Sequence, residues 1–194
     1  LLQLINEVLD LSRLDAVGIE LALQPFDLPE LLAEVLRSLM PAMKRGAAAT
    51  PVSMRFDWAG DVTGVLGDPA RVRQVVTNLA ANAIKFTERG HVALTGELVV
   101  GAGGHARAIV RVEDTGPGID AAQHERIFDA FFRAHGSRVR GTGLGLAVAK
   151  GLVEAHGGSI VAQNRPEGGA LFRFTLPLNT TGTVPAVEDD AHAS

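Results

Sequence analysis

The sequence predicts a mixed α/β domain. Three stretches place apolar residues at helical spacing behind N-terminal helix signals, several shorter stretches alternate apolar and polar residues with the period of a strand, and the two kinds interleave along the chain. With 194 residues, 46% hydrophobic and 21% charged side chains, the chain can bury a core without disulfide or metal staples and is globular in composition.

Leu1, Leu4, Ile5, Val8, Leu11 and Leu14 recur at helical spacing, and Leu2 and Leu9 widen that face beyond a narrow coiled-coil seam. Such a face needs a partner helix or bundle, unless it packs on its own domain. Residues 15–18 read as a break. The chain opens inside this helical pattern without an initiator Met, so it reads as an excerpt of something longer. Ile19, Leu21 and Leu23 then alternate as a short strand before Pro25.

Asp27, Leu28, Pro29 and Glu30 form a helix start, with an aspartate to cap and a proline and a glutamate in the first turn. This helix is expected to reach about Met43, with Leu31, Leu32, Val35, Leu36 and Leu39 toward a core. A loop over 44–51 leads to Val52, Met54, Phe56 and Trp58, which alternate as a strand with one face buried. A turn at Gly60 and Asp61 precedes a brief strand over 62–66.

Asp68 and Pro69 open a second long helix whose buried stripe is Val72, Val75, Val76, Leu79 and Ala83. At about 100° per residue, Asn78, Asn82 and Lys85 fall within about 60° of one another on a separate face, with Arg71 and Gln74 nearby. A solvated face accounts for Arg71 and Gln74. Neutral asparagines among Ala80, Ala81 and Ala83 are less usual there, because Asn is a poor helix former.

Two strands over 91–100 and 106–113 follow, joined by a glycine-rich turn at 101–104, and the second runs into VEDTGPGI. There Asp114 stands at the strand end ahead of Gly116, Pro117 and Gly118. A carboxylate so placed can accept a charge-assisted hydrogen bond from an exocyclic amine such as that of adenine, and Gly116 leaves room beside the ring. Asp-x-Gly is also ordinary turn chemistry. From 120 to 140 the periodicity fades into short helical pieces with the pair Phe131 and Phe132, a segment expected to move. Residues 141–146, GTGLGL, open a third helix carrying Val148, Leu152 and Val153 and stopping at 157–158. A glycine-rich helix entry offers unpaired N–H groups and a positive dipole end to an anion. A hairpin over 159–163 and 170–176 puts Phe172, Phe174 and Leu176 on one face, and 179–194 reads as a tail or linker.

The net charge of −4 argues against a general nucleic-acid binder. With no cysteine, thiol catalysis and a disulfide scaffold are excluded. No stretch approaches the roughly 20 apolar residues that span a bilayer, so no membrane contact is expected within this chain.

In order, NLAANAIKFT, DTGPGI, IFDAFFR and GTGLGL resemble the asparagine box, first glycine box, phenylalanine box and second glycine box of sensor histidine kinases. These kinases belong to the gyrase, chaperone, kinase and MutL (GHKL) nucleotide-binding group. The resemblance covers about residues 26–178. LINEVLDLSRLDAVGIEL is similar to the second helix of that family's dimerisation and phosphoacceptor bundle. It implies bundle helix over 1–18, catalytic ATP-binding domain over 19–178 and flexible tail over 179–194. The implied fold is a two-layer α/β sandwich, a mixed sheet covered on one face by helices, with ATP between the helices and a lid.

By the same resemblance Asp114 binds the adenine amine, with Gly116, Gly118 and Ile119 lining the approach. Asn82 supplies an amide oxygen to Mg2+. Asn78 and Lys85 contact phosphates together with Gly141, Thr142, Gly143, Leu144, Gly145 and Leu146, and Arg133 assists the γ-phosphate. Gyrase and chaperone ATPases carry a glutamate four residues before the metal asparagine to activate water; here that position is Asn78, a poor base. The implied activity is phosphoryl transfer to a bundle histidine in a motif like His-Glu-Leu-Arg-Thr-Pro, for relay to a response-regulator receiver domain. None of the six histidines, His91, His105, His124, His135, His156 and His192, stands in that motif, and loop or surface positions are expected for them. Partners implied are a receiver domain, in this chain or separate, and a second copy through the bundle; the expected location is cytoplasmic. The competing expectation is a nucleotide-sensing scaffold without phosphotransfer.

Overall fold

Alternating side chains in five strands build one mixed sheet and turn its apolar face toward three helices. A computed structural model of the chain describes residues 8–9, 19–43, 52–60, 65–100, 106–133 and 141–178. Strands β2 (Ser53–Ala59), β4 (His91–Val100), β5 (Ala106–Asp114), β6 (Ser159–Asn164) and β7 (Ala170–Leu178) lie in the order β2-β4-β5-β7-β6. Among the described strand pairs of this sheet β2–β4 is parallel and the other three are antiparallel. Val92 and Leu94 on β4, Ala108, Val110 and Val112 on β5, and Phe172, Phe174 and Leu176 on β7 are all buried, while Arg107 and Arg173 on the opposite face are exposed.

Helices α1 (Leu28–Met43), α2 (Pro69–Phe86) and α3 (Gly145–Ala155) form the second layer, α2 packing between the other two. Their buried stripes follow the predicted spacing: Leu31, Leu32, Val35 and Leu36 on α1, with Leu39 half-buried against the core, Val72, Val75, Val76, Leu79 and Ala83 on α2, and Val148, Leu152 and Val153 on α3. The result is the expected two-layer sandwich. Phe174 is fully buried at its centre, and Phe174→Ala is expected to cost about 3–5 kcal/mol through lost burial and the cavity left behind.

Both predicted caps form. Asp27 Oδ1 accepts from the Glu30 N–H at 2.8 Å, and Asp68 Oδ1 accepts from the Ala70 and Arg71 N–H groups at 3.0 and 3.1 Å. Asp68 does more than cap. It is buried, its Oδ2 accepts from the Ala22 N–H at 3.0 Å, and its own N–H donates to His156 Nε2 at 3.2 Å. His156 Nδ1 in turn donates to Leu152 O at 2.7 Å. His156 therefore locks the end of α3 to the start of α2, a structural role that a loop or surface position does not describe.

The strand expected over 19–23 is displaced. The Leu23 N–H closes a tight turn on Leu21 O at 3.1 Å, and β1 is instead Gln24–Phe26, paired antiparallel with β3 (Val65–Gly67). Pro25 is tolerated because β1 has a neighbour on one side only, and a missing N–H costs nothing on an open edge. The brief strand at 62–66 likewise shifts to Val65–Gly67, with 61–64 outside the described residues. On β2 the predicted buried face is incomplete: Met54 and Trp58 pack against the core but Phe56 is 39% exposed, because β2 is the last strand of the sheet.

Of the helix expected over 1–14 only Val8 and Leu9 are described, both helical and exposed. The break at 15–18, the loop at 44–51, the turn at 101–104, the end of the segment at 134–140 and the tail at 179–194 lie outside the described residues. Among the described residues no helix is long and apolar enough to cross a membrane.

Candidate functional site

One end of the site is the close of β5. Asp114 keeps the inward register of Ala108, Val110 and Val112, so its carboxylate enters the helical layer with only 4% of the residue exposed. Its Oδ1 accepts from the Gly116 N–H at 2.8 Å and the Ala170 N–H at 3.2 Å, and neither bond uses Oδ2. A Cβ on Gly116 would lie 2.8 Å from Phe86 O, so glycine there serves the turn against the end of α2. Room beside a flat ring is not its only purpose. At the far end of this loop the Ile119 N–H donates to Asn164 Oδ1 at 2.7 Å, and Asn164 Nδ2 and His124 Nε2 donate to Ile119 O at 2.8 and 3.1 Å.

The other end lies where α2 meets the entry to α3. Asn78, Asn82 and Lys85 are half-buried along one face of α2, with the helical spacing their numbers predict. Asn78 Nδ2 donates to Gly145 O at 3.0 Å. A Cβ on Gly141 would come within 2.6 Å of Lys85 Nζ, which places the ammonium against the glycine-rich loop. Burial, and secondarily the positive charge of Arg133, push the Lys85 pKa below its ordinary value of 10.5. The loop is held by Gly143, at φ +76°, where a side chain would collide with Phe132 O at 2.7 Å. Phe131, itself at φ +63° and 64% exposed, donates its N–H to Gly143 O at 3.0 Å, tying the phenylalanine-rich segment to the helix entry. Thr142 Oγ1 accepts from the Leu144 N–H at 3.2 Å, Leu144 is fully buried and Leu146 is half-buried against the core.

Lys85 and Arg133, with the neighbouring amides and a helix entry, are groups of the kind that interact with a polyanion. The residues present also fit a hard divalent cation of one kind. Among the described residues no cluster of three or more His, Asp or Glu side chains is placed to hold a metal. A half-buried amide such as Asn82 suits an ion whose remaining ligands are water and phosphate oxygen, as Mg2+ prefers.

The predicted residues thus fall into two groups, Asp114, Gly116, Gly118 and Ile119 on the loop after β5, and Asn78, Lys85 and residues 141–145 where α2 meets the entry to α3, and the end of α2 at Phe86 adjoins the first group. Asn82 lies on the same face of α2. Arg133 is exposed, and its charge reaches Lys85. The sequence reading missed Asn164, the last residue of β6, and Arg165 just after it, which touch the Asp114 loop from 45 and 51 residues away. No periodicity or spacing signal joins the two stretches.

A sandwich that joins a buried strand-end carboxylate, a helix bearing Asn78, Asn82 and Lys85, and a glycine-rich helix entry has the parts of an ATP-binding α/β module. The chain belongs to the family of histidine kinase-, DNA gyrase B- and HSP90-like ATPases, whose model matches residues 67–180, more than half its length, and it is the ATP-binding catalytic module of a sensor histidine kinase. It is 42% identical over 183 residues to the sensory/regulatory protein RpfC of Xanthomonas campestris pv. campestris, covering 92% of this chain and 25% of that protein. It is 36% identical over 195 residues to the sensor protein TorS of Escherichia coli strain K12, covering 98% and 20%. The chain therefore spans a quarter or less of these relatives. Among solved structures it resembles full-length ShkA in complex with AMPPNP (TM-score 0.80, 36% identity, 94% of this chain and 36% of that one). It also resembles ThkA in complex with the response regulator protein TrrA (TM-score 0.67, 27% identity, 91% and 46%).

Proposed function

We propose that this chain holds Mg2+–ATP between α2, α3 and the segment at 121–133 and offers the γ-phosphoryl group to a histidine on a bundle helix. Residues 1–18 are the second helix of that bundle, 19–178 the catalytic domain and 179–194 a linker or tail. Asp114 accepts the adenine amine through its carboxylate, beside Gly118 and Ile119. Lys85, Arg133 and the helix entry at 141–146 neutralise the phosphates, and Asn78 positions them. Phosphoryl transfer asks mainly for positioning and charge neutralisation, and these groups supply both. Asn82 is the protein ligand to Mg2+, which when bound neutralises phosphate charge. The same reading takes in a dimer through the bundle, a receiver domain as the next acceptor and a cytoplasmic site of action; the complex of ThkA with the response regulator protein TrrA supports the receiver domain.

Asn78 is the observation that favours transfer over hydrolysis. It stands where the gyrase and chaperone ATPases carry their water-activating glutamate, and an amide donating through Nδ2 to Gly145 O cannot take a proton from water. The test is incubation with γ-labelled ATP and Mg2+, alone and with a separate fragment carrying the first bundle helix and its histidine. Acid-labile, base-stable label is expected on the fragment only, at a rate rising with concentration because donor and acceptor meet by diffusion. Label on this chain alone would make one of its own histidines the acceptor. No label on either, with ATP bound, would leave the nucleotide-sensing scaffold as the function.

A further inference from the structure

We infer that Asn164 and Arg165, at the β6–β7 hairpin, are positioning residues that set the adenine end of the site by gripping the 114–119 loop at both ends. The inference rests on the reading of Asp114 as the adenine anchor. The β5–β7 ladder ends at the pair Glu113 and Leu171, so the Asp114 carbonyl lies one residue past its last sheet partner on that side. Arg165 Nη1 takes over that position, donating to Asp114 O at 2.9 Å, while Arg165 Nε meets the Glu113 carboxylate at 3.4 Å. The Arg165 side chain is only 16% exposed, so these contacts are little screened.

Five residues further along, Asn164 satisfies both backbone groups of Ile119, accepting from its N–H at 2.7 Å and donating to its carbonyl at 2.8 Å. One amide thereby does what a strand partner would do. The hairpin in turn is braced by the Arg165 N–H to Gly169 O at 3.0 Å and the Gly168 N–H to Arg165 O at 3.1 Å. It must also approach closely: a Cβ on Gly169 would lie 1.9 Å from Asp114 O, and the next N–H, of Ala170, is the one that orients Asp114 Oδ1. The carboxylate is thus aimed by a hairpin remote in sequence. The phosphate end, at Lys85 and 141–145, shares none of these bonds.

That separation supplies a test on the whole chain. ATP and inorganic tripolyphosphate, each with Mg2+, are titrated against wild type, Arg165→Ala, Arg165→Lys, Asn164→Ala and Asp114→Ala. Arg165→Ala and Asn164→Ala are expected to weaken ATP by about tenfold, the scale of one charge-assisted bond or two neutral ones, and to leave tripolyphosphate affinity unchanged. Arg165→Lys, which keeps one donor, should recover part of the loss. Hydrogen exchange at the Ile119 amide should quicken in Asn164→Ala, whose side chain is exposed and dispensable to the core. If Arg165→Ala does not fold, Asn164→Ala and Arg165→Lys decide. Equal loss of ATP and tripolyphosphate, or no loss of either, overturns the positioning role while Asp114→Ala still loses ATP. Unchanged ATP affinity in Asp114→Ala overturns the adenine reading itself, and the inference with it.

Discussion

At the Asp114 end, the loop polar groups are answered by the sheet and a hairpin: Oδ1 by Gly116 and Ala170, the carbonyl by Arg165, and both backbone groups of Ile119 by Asn164. At the Lys85 end an ammonium sits half-buried near a second cation and beside a loop that accepts a backbone bond from the exposed Phe131. The first wall is built before any ligand arrives. The second gathers positive charge that an anion would relieve. A base needs a fixed shape to be recognised, whereas a phosphate chain needs charge that can close around it, so rigidity and latent strain are divided between the two ends.

The largest effect that would break this contrast is at Asn82. Asn82→Ala is expected to lower phosphotransfer to the bundle fragment by about a hundredfold or more, the scale of losing one stabiliser of transition-state charge, with the fold intact. Wild-type Mg2+ dependence in that variant would place the metal elsewhere.

Next comes the rigid wall. Asp114→Ala should weaken ATP binding by about one to two orders of magnitude, since a hydrogen bond to a charged group is worth roughly 1.5–3 kcal/mol. GTP, which offers a carbonyl where adenine offers an amine, should bind poorly to wild type by comparison in the same calorimeter.

Hydrogen exchange sharpens the comparison without mutation. Amides over 121–133 should slow severalfold on adding an ATP analogue with Mg2+, while those of Gly116 and Ile119, already bonded, change less. Equal slowing in both segments would mean that the adenine wall is no more pre-built than the phosphate wall.

The smallest effect is the pH dependence of Lys85. Its folded pKa lies below 10.5, through burial first and Arg133 second. Between the folded and unfolded values the unfolded chain binds more protons, so stability rises with pH across that window and the handicap is full below it. Lys85→Met should flatten the rise and slightly raise the urea midpoint at pH 7. Bound ATP should have the opposite sign, favouring the ammonium, so ATP affinity is expected to fall as pH climbs through the Lys85 pKa in wild type only.

Much of this architecture was legible in one dimension. The stripes of α1, α2 and α3, the caps Asp27 and Asp68 and the inward face of β7 all follow from short-range patterns, which a helix or strand translates directly into a face. So does the row of Asn78, Asn82 and Lys85, because one helix carries all three. Where reading failed, the deciding forces were not local. Leu21 and Leu23 alternate like a strand, but the available partner, Val65–Gly67, is in register with Gln24–Phe26 instead. Phe56 belongs to an apolar alternation, yet sheet order leaves β2 at the edge with too little helix to cover it.

What the sequence alone determined, then, is which faces are apolar, where the helices start, and which motif residues share an element with one another. Tertiary structure decided the rest: that His156 locks α3 to the cap of α2 through Asp68, and that Arg165 and Asn164 hold a loop some fifty positions earlier. Contacts across such separations depend on how strands are ordered in the sheet. Hydrogen bonds made only after that order is set leave no periodic trace in the chain.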